Sequence, residues 1–353
     1  VKSPPPLYTT EVGPDSSHGQ GGAFLFCAIV FAVFSLAGCA PKWSPSPFDA
    51  ERFATSTPFS GSEEDLLSQA ILARKKGDAV GAIARLSALE TRGTDNPRVL
   101  YQLAIAFEVA EDFETAAAVY IEVNTRDPAP QLRRDASFRL ALCLWELDKN
   151  KAAFRAIRAL PEHTRYSLPD RITADLALGV AWIRMDRKRK GKAQTLRALV
   201  AAEGSEIAHW MRSMALFTLM ELELQAASSL DFQVREKKQT VRLNARVAHI
   251  KAGEDRLRRV MQLNEVDWML SGWLALGDAY ALFAEDLAQA PAPKKLTKSQ
   301  QSVYKALIKE QADTLRIKSA KAYEWGVEVA TRSARQDHRS ARLLISRLKA
   351  ISQ

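Results

Sequence analysis

The sequence predicts an all-α protein made of antiparallel helix pairs, and three observations carry that prediction. From Glu63 onward the chain is rich in Ala and Leu at helical spacing, with no convincing strand-like alternation. Small residues recur at matching places: Ala70 lies 34 residues before Ala104, and Ala104 lies 37 before Ala141. Short polar turns, Gly77-Asp78, Glu111-Asp112 and Asp148-Lys149-Asn150, separate the apolar stretches. Paired helices of about 12–16 residues are the expectation.

The first segment has a different character. Ala23 to Ala37 is almost purely apolar and runs into Leu36-Ala37-Gly38-Cys39. An apolar core of about 7–15 residues ending in small side chains reads as an export signal. It is shorter than the roughly 20 residues a membrane-spanning helix needs. The Leu-Ala-Gly-Cys ending resembles the lipobox of bacterial lipoproteins. That resemblance implies cleavage between Gly38 and Cys39 and a diacylglyceryl anchor on the Cys39 thiol, with further acylation giving a durable hold. Ala40 after the cysteine resembles an outer-membrane sorting address. Two features depart from the pattern. Residues 1–22 hold one cation, Lys2, against Glu11 and Asp15, and the chain opens on Val1, which suggests an unusual start codon or a start placed upstream. Residues 1–38 are thus expected as a signal peptide. Residues 39–62, rich in Pro, Ser and Gly, are expected as an extended tether, with Trp43 near the lipid.

Four repeat units are then expected within residues 63–225. The second is clearest, with Leu103-Ala104, Phe107, Glu111-Asp112-Phe113, Ala116, Tyr120 and Pro128. It resembles the tetratricopeptide repeat, whose unit carries small and aromatic residues at these spacings. Ala104 and Ala116 let the helices approach, Phe107 and Tyr120 fill the space between them, and Pro128 stops the second helix. The resemblance implies a right-handed solenoid with an extended concave surface for gripping a partner. The first unit is weaker (Ala70, Ala73, Gly77-Asp78, Ala82, Leu86, Pro97). The third has Leu140-Ala141, Leu144 and Ala153, and the fourth has Leu178-Gly179, Trp182, Ala193 and Leu196 after a turn expected to be lengthened through Asp186–Lys192. Trp210 to Leu224 reads only as an apolar helix.

Residues 226–353 are expected to be degenerate repeats ending in a helical cap. Trp273, Leu276-Gly277 and Tyr280 match the first-helix pattern, and Ala290-Pro291-Ala292-Pro293 then breaks the chain. A long helix, about Ser299 to Thr331, should turn Val303, Leu307, Leu315, Ala322, Trp325 and Val329 inward. A last helix, about Ser340 to Ile351, should bury Leu343, Leu344, Leu348 and Ile351. The stretch Gly277-Asp278-Ala279-Tyr280, Phe283-Ala284, Pro291-Ala292-Pro293, Tyr304 and Lys321-Ala322-Tyr323-Glu324 also resembles the C-terminal part of repeat lipoproteins from the myxobacterial gliding-motility machinery.

Charge and motif content narrow the function classes. The whole chain carries +9, and the part after residue 38 carries +10, a balance suited to anionic lipid, cell-wall polymer or an acidic partner. The envelope address argues against nucleic acid. No Gly-rich phosphate loop, His-Glu-x-x-His, Gly-x-Ser-x-Gly or cysteine pair is present. His163, His209, His249 and His338 have no second ligand at metal spacing, and Cys143 reads as a small buried hydrophobe. No cofactor or metal is expected, and the reading is against an enzyme. The tryptophans at helical positions read as core. The one concentrated surface feature is Arg187, Lys188, Arg189, Lys190 and Lys192, a candidate contact for anionic headgroups or polymer. A second basic stretch, Arg235–Lys238 with Arg242, Arg246 and Lys251, reads as an exposed helix face.

The function these features predict is a lipid-anchored, periplasm-facing outer-membrane scaffold that binds other envelope proteins, in a gliding complex or in outer-membrane protein assembly. Two alternatives are a peptidoglycan- or lipid-binding spacer and a cell-wall enzyme or its partner. The enzyme would need a catalytic domain with a placed acid, which the C-terminal part does not display.

Overall fold

The computed structural model describes residues 48–53, 59–126, 128–160, 167–204, 209–234 and 236–351, all within one unit, Trp43–Gln353. Gly38, Cys39, the signal segment and most of the tether lie outside the described residues. Among the described residues the regular structure is entirely helical. A 3-10 turn (Glu51–Phe53) precedes α1 (Glu63–Lys75), α2 (Ala79–Thr91), α3 (Pro97–Val109), α4 (Phe113–Thr125), α5 (Pro130–Glu146), α6 (Asn150–Arg158) and α7 (Leu168–Arg184). There follow α8 (Lys188–Ala201), α9 (His209–Ser228), α10 (Glu236–Leu263), α11 (Val266–Ala288), α12 (Lys298–Arg332) and α13 (Arg339–Ile351). The boundary expected at residues 225/226 lies in the last turn of α9, which ends at Ser228.

The same local device ends the first helix of four successive pairs. Gly77, Glu111, Asp148 and Asp186 all take a left-handed backbone, with φ of 86°, 61°, 56° and 59°. The next residue's N–H then reaches the carbonyl five positions back: Asp78 to Ala73, Asp112 to Phe107, Lys149 to Leu144 and Arg187 to Trp182, at 2.7–3.0 Å. This satisfies a helix-end carbonyl and reverses the chain within three residues. Asp78 and Asp112 then cap α2 and α4 by accepting from Gly81 N–H at 2.8 Å and Thr115 N–H at 3.1 Å. Proline stands in the first turn of α3, α5 and α7, where a missing N–H costs nothing.

Each helix packs on its sequence neighbour, and the first helices also meet one another: α1 with α3, α3 with α5, α7 with α9, α9 with α11 and α11 with α13. Ala70, Ala104, Ala116 and Ala141 are fully buried, so helix backbones come close at these places. Glycine permits the closest crossings. A Cβ on Gly191 would stand 2.6 Å from the Gly179 carbonyl oxygen, and one on Gly277 would stand 2.3 Å from the Tyr323 ring. Phe48 and Phe53 pack edge-on to Phe107, and Arg92 donates to the Phe59 and Gly61 carbonyls. The described part of the expected tether is therefore docked on the helices.

Several sequence expectations differ from the structure. The α7–α8 turn is no longer than its neighbours, because α8 already begins at Lys188. On α12 the expected inward stripe divides. Ala322 is buried and Leu315 and Val329 are half-buried, whereas Val303, Leu307 and Trp325 face solvent at 59%, 54% and 50% exposure. The six positions span about 120° of the helix surface, and α12 has neighbours along only part of that arc. On α13, Leu344 is buried and Leu348 half-buried, but Leu343 and Ile351 are exposed. Arg246, read as surface, is fully buried. Its guanidinium lies 5.4 Å and 4.8 Å from the centres of the Phe232 and Phe283 rings, which pack on each other, and pairs with Asp286 at 2.6 Å.

The C-terminal helix touches more than the end of the stack. Glu111, in the α3–α4 turn, accepts the Arg339 N–H at the start of α13 and pairs with Arg342 at 3.1 Å. A Cβ on Gly77 would stand 3.5 Å from the Ala334 carbonyl oxygen, so the α12–α13 turn lies against the α1–α2 turn as well. An open stack confines each unit to its neighbours, whereas here a carboxylate 228 residues away caps α13. Glu111→Ala is expected to cost about 1 kcal/mol, the usual worth of an N-terminal cap, and Glu111→Gln less. Amide exchange should quicken in α13 before it does in α9. Unchanged α13 protection would remove this role for Glu111.

Candidate functional site

The five cations singled out in the sequence fall together at the start of α8. Arg187 is its N-cap position, and no side chain caps the helix there. The first turn of α8 holds no acidic residue. Cations crowd the positive end of a helix dipole here, an arrangement that costs stability unless an anion or a ring offsets it. A ring is present. Arg187 and Lys190 lie 4.7 Å and 3.9 Å from the centre of the Trp182 ring on α7. Gly191 interrupts the run where α8 presses on α7, so the gap in the charge pattern is a packing requirement.

The other three cations differ in what they meet. Lys192 pairs with Glu223 at 2.6 Å, and Glu223 also faces His249 Nδ1 at 2.8 Å. Lys188 sits 3.7 Å from Asp186, with both side chains mostly exposed. Arg189 is exposed and makes no ion pair with any of the described residues. Lys188 and Arg189 are therefore the members with least intramolecular commitment. Beside them lies a cavity of about 270 Å³ lined by Asn150, Arg184, Asp186, Lys188, Glu221 and Gln225, among others. Arg184 and Glu221 pair across it at 3.1 Å. Both charge signs line its wall, so the attraction for anions belongs to the exposed run and not to the cavity.

A second polar cluster was not foreseen. Glu108 on α3 takes Arg139 of α5 at 2.7 Å, the Tyr120 hydroxyl at 2.5 Å and the Cys143 thiol at 3.8 Å. Arg139 also lies 4.9 Å from the Trp210 ring on α9. Burial pushes the Glu108 carboxyl up, while Arg139, Tyr120 and Cys143 pull it back. Burial also acts to lower Arg139, but the Glu108 charge outweighs it and holds the guanidinium well above its ordinary range. Burial, with Glu108 beside it, pushes the Cys143 thiol well up, so it rests as a thiol. One signal could have found this cluster: an acid inside the apolar run Leu103–Val109 must have a partner.

The other residues fall as follows. Trp145, Trp182 and Trp273 are buried, whereas Trp325 is half-exposed against Trp273. His338 is held below its ordinary value, first by burial, and its Nδ1 accepts the Ser340 N–H. His163 lies outside the described residues. Among the described residues no group of three or more His, Cys, Asp or Glu could hold a metal ion, and no helix is long and apolar enough to cross a membrane. No family model and no curated protein matches this chain.

Two outcomes follow from this geometry. Lys188→Ser with Arg189→Ser should weaken binding to anionic vesicles about 30-fold at low salt, at about 1 kcal/mol per charge near an anionic surface, without lowering the melting temperature, since both cations sit at the positive end of α8. Equal binding by the parent and the variant across a salt series would dismiss the anionic contact. The second outcome concerns Glu223. Burial acts to raise its pKa, yet hydrogen bonds from Lys192 and His249 win, and the net direction is downward from 4.5. The stabilisation is therefore present above about pH 4.5 and lost as pH falls through the folded value. The stability gap between the parent and Glu223→Gln should shrink below that pH, as read by thermal unfolding from pH 7 to pH 3. A constant gap would contradict the pairing.

Proposed function

We propose that this chain is a lipid-anchored scaffold of the bacterial envelope. Its helix pairs stack as tetratricopeptide-like repeats in a right-handed solenoid, and they bind protein partners. The single observation that carries the solenoid reading is the recurring turn at Gly77, Glu111, Asp148 and Asp186, joined to contacts of α1 with α3, α3 with α5 and α7 with α9. A repeated turn of one geometry at regular spacing is how such arrays present one edge of every unit to a partner. The anchor reading rests on the apolar run ending in Leu36-Ala37-Gly38-Cys39. It places the protein on the periplasmic face of the outer membrane, with a motility or assembly complex as its setting.

A second reading, contact with anionic lipid or cell-wall polymer, is favoured by one specific observation. Lys188 and Arg189 remain outward while their neighbours are engaged with Trp182 and Glu223. The scaffold can use both surfaces, with protein partners on the repeats and the basic helix start against the envelope.

Metabolic labelling with a palmitate analogue tests the anchor, and in-cell crosslinking tests the scaffold. The expected result is label on the parent chain, none on Cys39→Ser, and the same envelope proteins captured repeatedly by the parent. Label on neither chain, with the protein in the cytosolic fraction, would overturn the anchor. Release of muropeptides from sacculi by the purified chain would replace scaffolding with cell-wall cleavage.

A further inference from the structure

The last helix is closed at its start by a histidine. His338 stands at the N-cap position of α13: its carbonyl accepts the Arg342 N–H at 3.0 Å, and its Nδ1 accepts the Ser340 N–H at 3.2 Å. Ser, Thr, Asp and Asn ordinarily fill this place, with oxygens that accept throughout the neutral range. An imidazole accepts only through a nitrogen that carries no proton. The ring is therefore neutral, with its one proton on Nε2, 3.9 Å from the Asp267 carboxylate of α11. Only 17% of the side chain is exposed, and Ser340 is buried, so water has little room to serve as the acceptor instead.

Charges of both signs surround this ring. Asp267 from α11 and Glu111 from the α3–α4 turn favour a second proton, whereas Arg335 and Arg342 oppose one, and burial opposes it most. Both carboxylates are already committed. Asp267 pairs with Arg335 at 2.7 Å, and Glu111 pairs with Arg342 at 3.1 Å and accepts the Arg339 N–H. Glu146, at the end of α5, lies near Arg339 and Glu111. A proton on Nδ1 would set one donor against another at Ser340. It would also add a fourth cation, beside Arg335, Arg339 and Arg342, at the positive end of α13.

We propose that His338 is a pH-sensitive latch: mild acidification protonates it, uncaps α13 and loosens the hold of α13 on the α3–α4 turn. A histidine free of the fold takes its proton near pH 6.5, whereas the docked ring, held below that value, resists it. The stabilisation is present in full above about pH 6.5 and is lost as pH falls through the docked value. The contact at stake joins distant parts of the chain, since Arg339 and Arg342 hold Glu111 and the Ala334 carbonyl lies against Gly77. Loosening it uncovers the α3–α4 edge while the helix pairs stay folded. The inference stands on this cap and does not depend on the scaffold reading.

Amide exchange of the full chain, read by mass spectrometry at pH 7.5 and pH 5.5 and corrected for the intrinsic rate, tests the latch. Protection of residues 339–351 should fall about fivefold between the two, the fold-change expected for one lost N-terminal cap, while α7 keeps its protection. His338→Asn, whose side-chain oxygen accepts the same N–H and takes up no proton, should hold α13 protection constant over that range. His338→Ser, a second capping side chain that does not titrate, should do the same. Constant α13 protection in the parent would overturn the proposal. So would an equal loss on acidification in the parent and both variants, which would assign the effect to another group.

Discussion

One left-handed residue at the end of each first helix sets up the rest of this molecule. Glu111, Asp148 and Asp186 accept a backbone that costs a residue with a Cβ about 1–2 kcal/mol, and only Gly77 avoids that cost. The return is a reversal within three residues, closed by a hydrogen bond to the carbonyl five positions back. A turn that short forces the following helix antiparallel and close. Close approach then demands small residues at the crossing. Ala104, Ala116, Gly179, Gly191 and Gly277 stand at such places. Turn geometry and core composition are thus one constraint seen at two levels.

The same closeness governs the charged residues. First helices touch one another, so a polar side chain on their facing sides cannot keep its water and must find a partner across the contact. Glu108 with Arg139, and Arg184 with Glu221, are the result. The basic start of α8 obeys the same logic at a surface. Gly191 is small because α7 is near, and Arg187 and Lys190 settle over Trp182 because the helix end repels them. The run from Arg187 to Lys192 holds five cations, four of them exposed, but only Lys188 and Arg189 lie off the Trp182 ring and away from Glu223.

Helix pairing was legible because its signals are local. The spacing of Ala70, Ala104 and Ala141, and the turn pairs such as Glu111-Asp112, each belong to one helix or one turn. What stayed hidden depends on distance in the chain. The Glu111 contact with Arg339 and Arg342 spans more than two hundred residues, and no periodicity encodes it. Arg246 looked like one more cation on a basic helix, since the rings that bury it come from the α9–α10 connection and α11. On α12 the apolar arc was wide enough for two faces, and only the position of α11 decides that Ala322 is covered while Val303 is not. Cys143 was readable as buried, because its neighbours on both sides are apolar.

These contacts bear on how a proposed scaffold could hold a partner. A ligand entering between the first helices would have to replace the Glu108–Arg139 pair with contacts of its own. Leaving one member of a buried pair unmatched costs about 3–5 kcal/mol. Binding of that kind suits only a partner carrying its own well-placed charges. The exposed surfaces carry no such penalty. Lys188 and Arg189 are already hydrated, and covering the exposed Val303, Leu307 and Trp325 of α12 removes apolar surface from water, which is favourable at about 25 cal/mol per Å². Association through outer faces is therefore the less costly mode for this fold, and the paired charges between the first helices act mainly to fix how those helices meet.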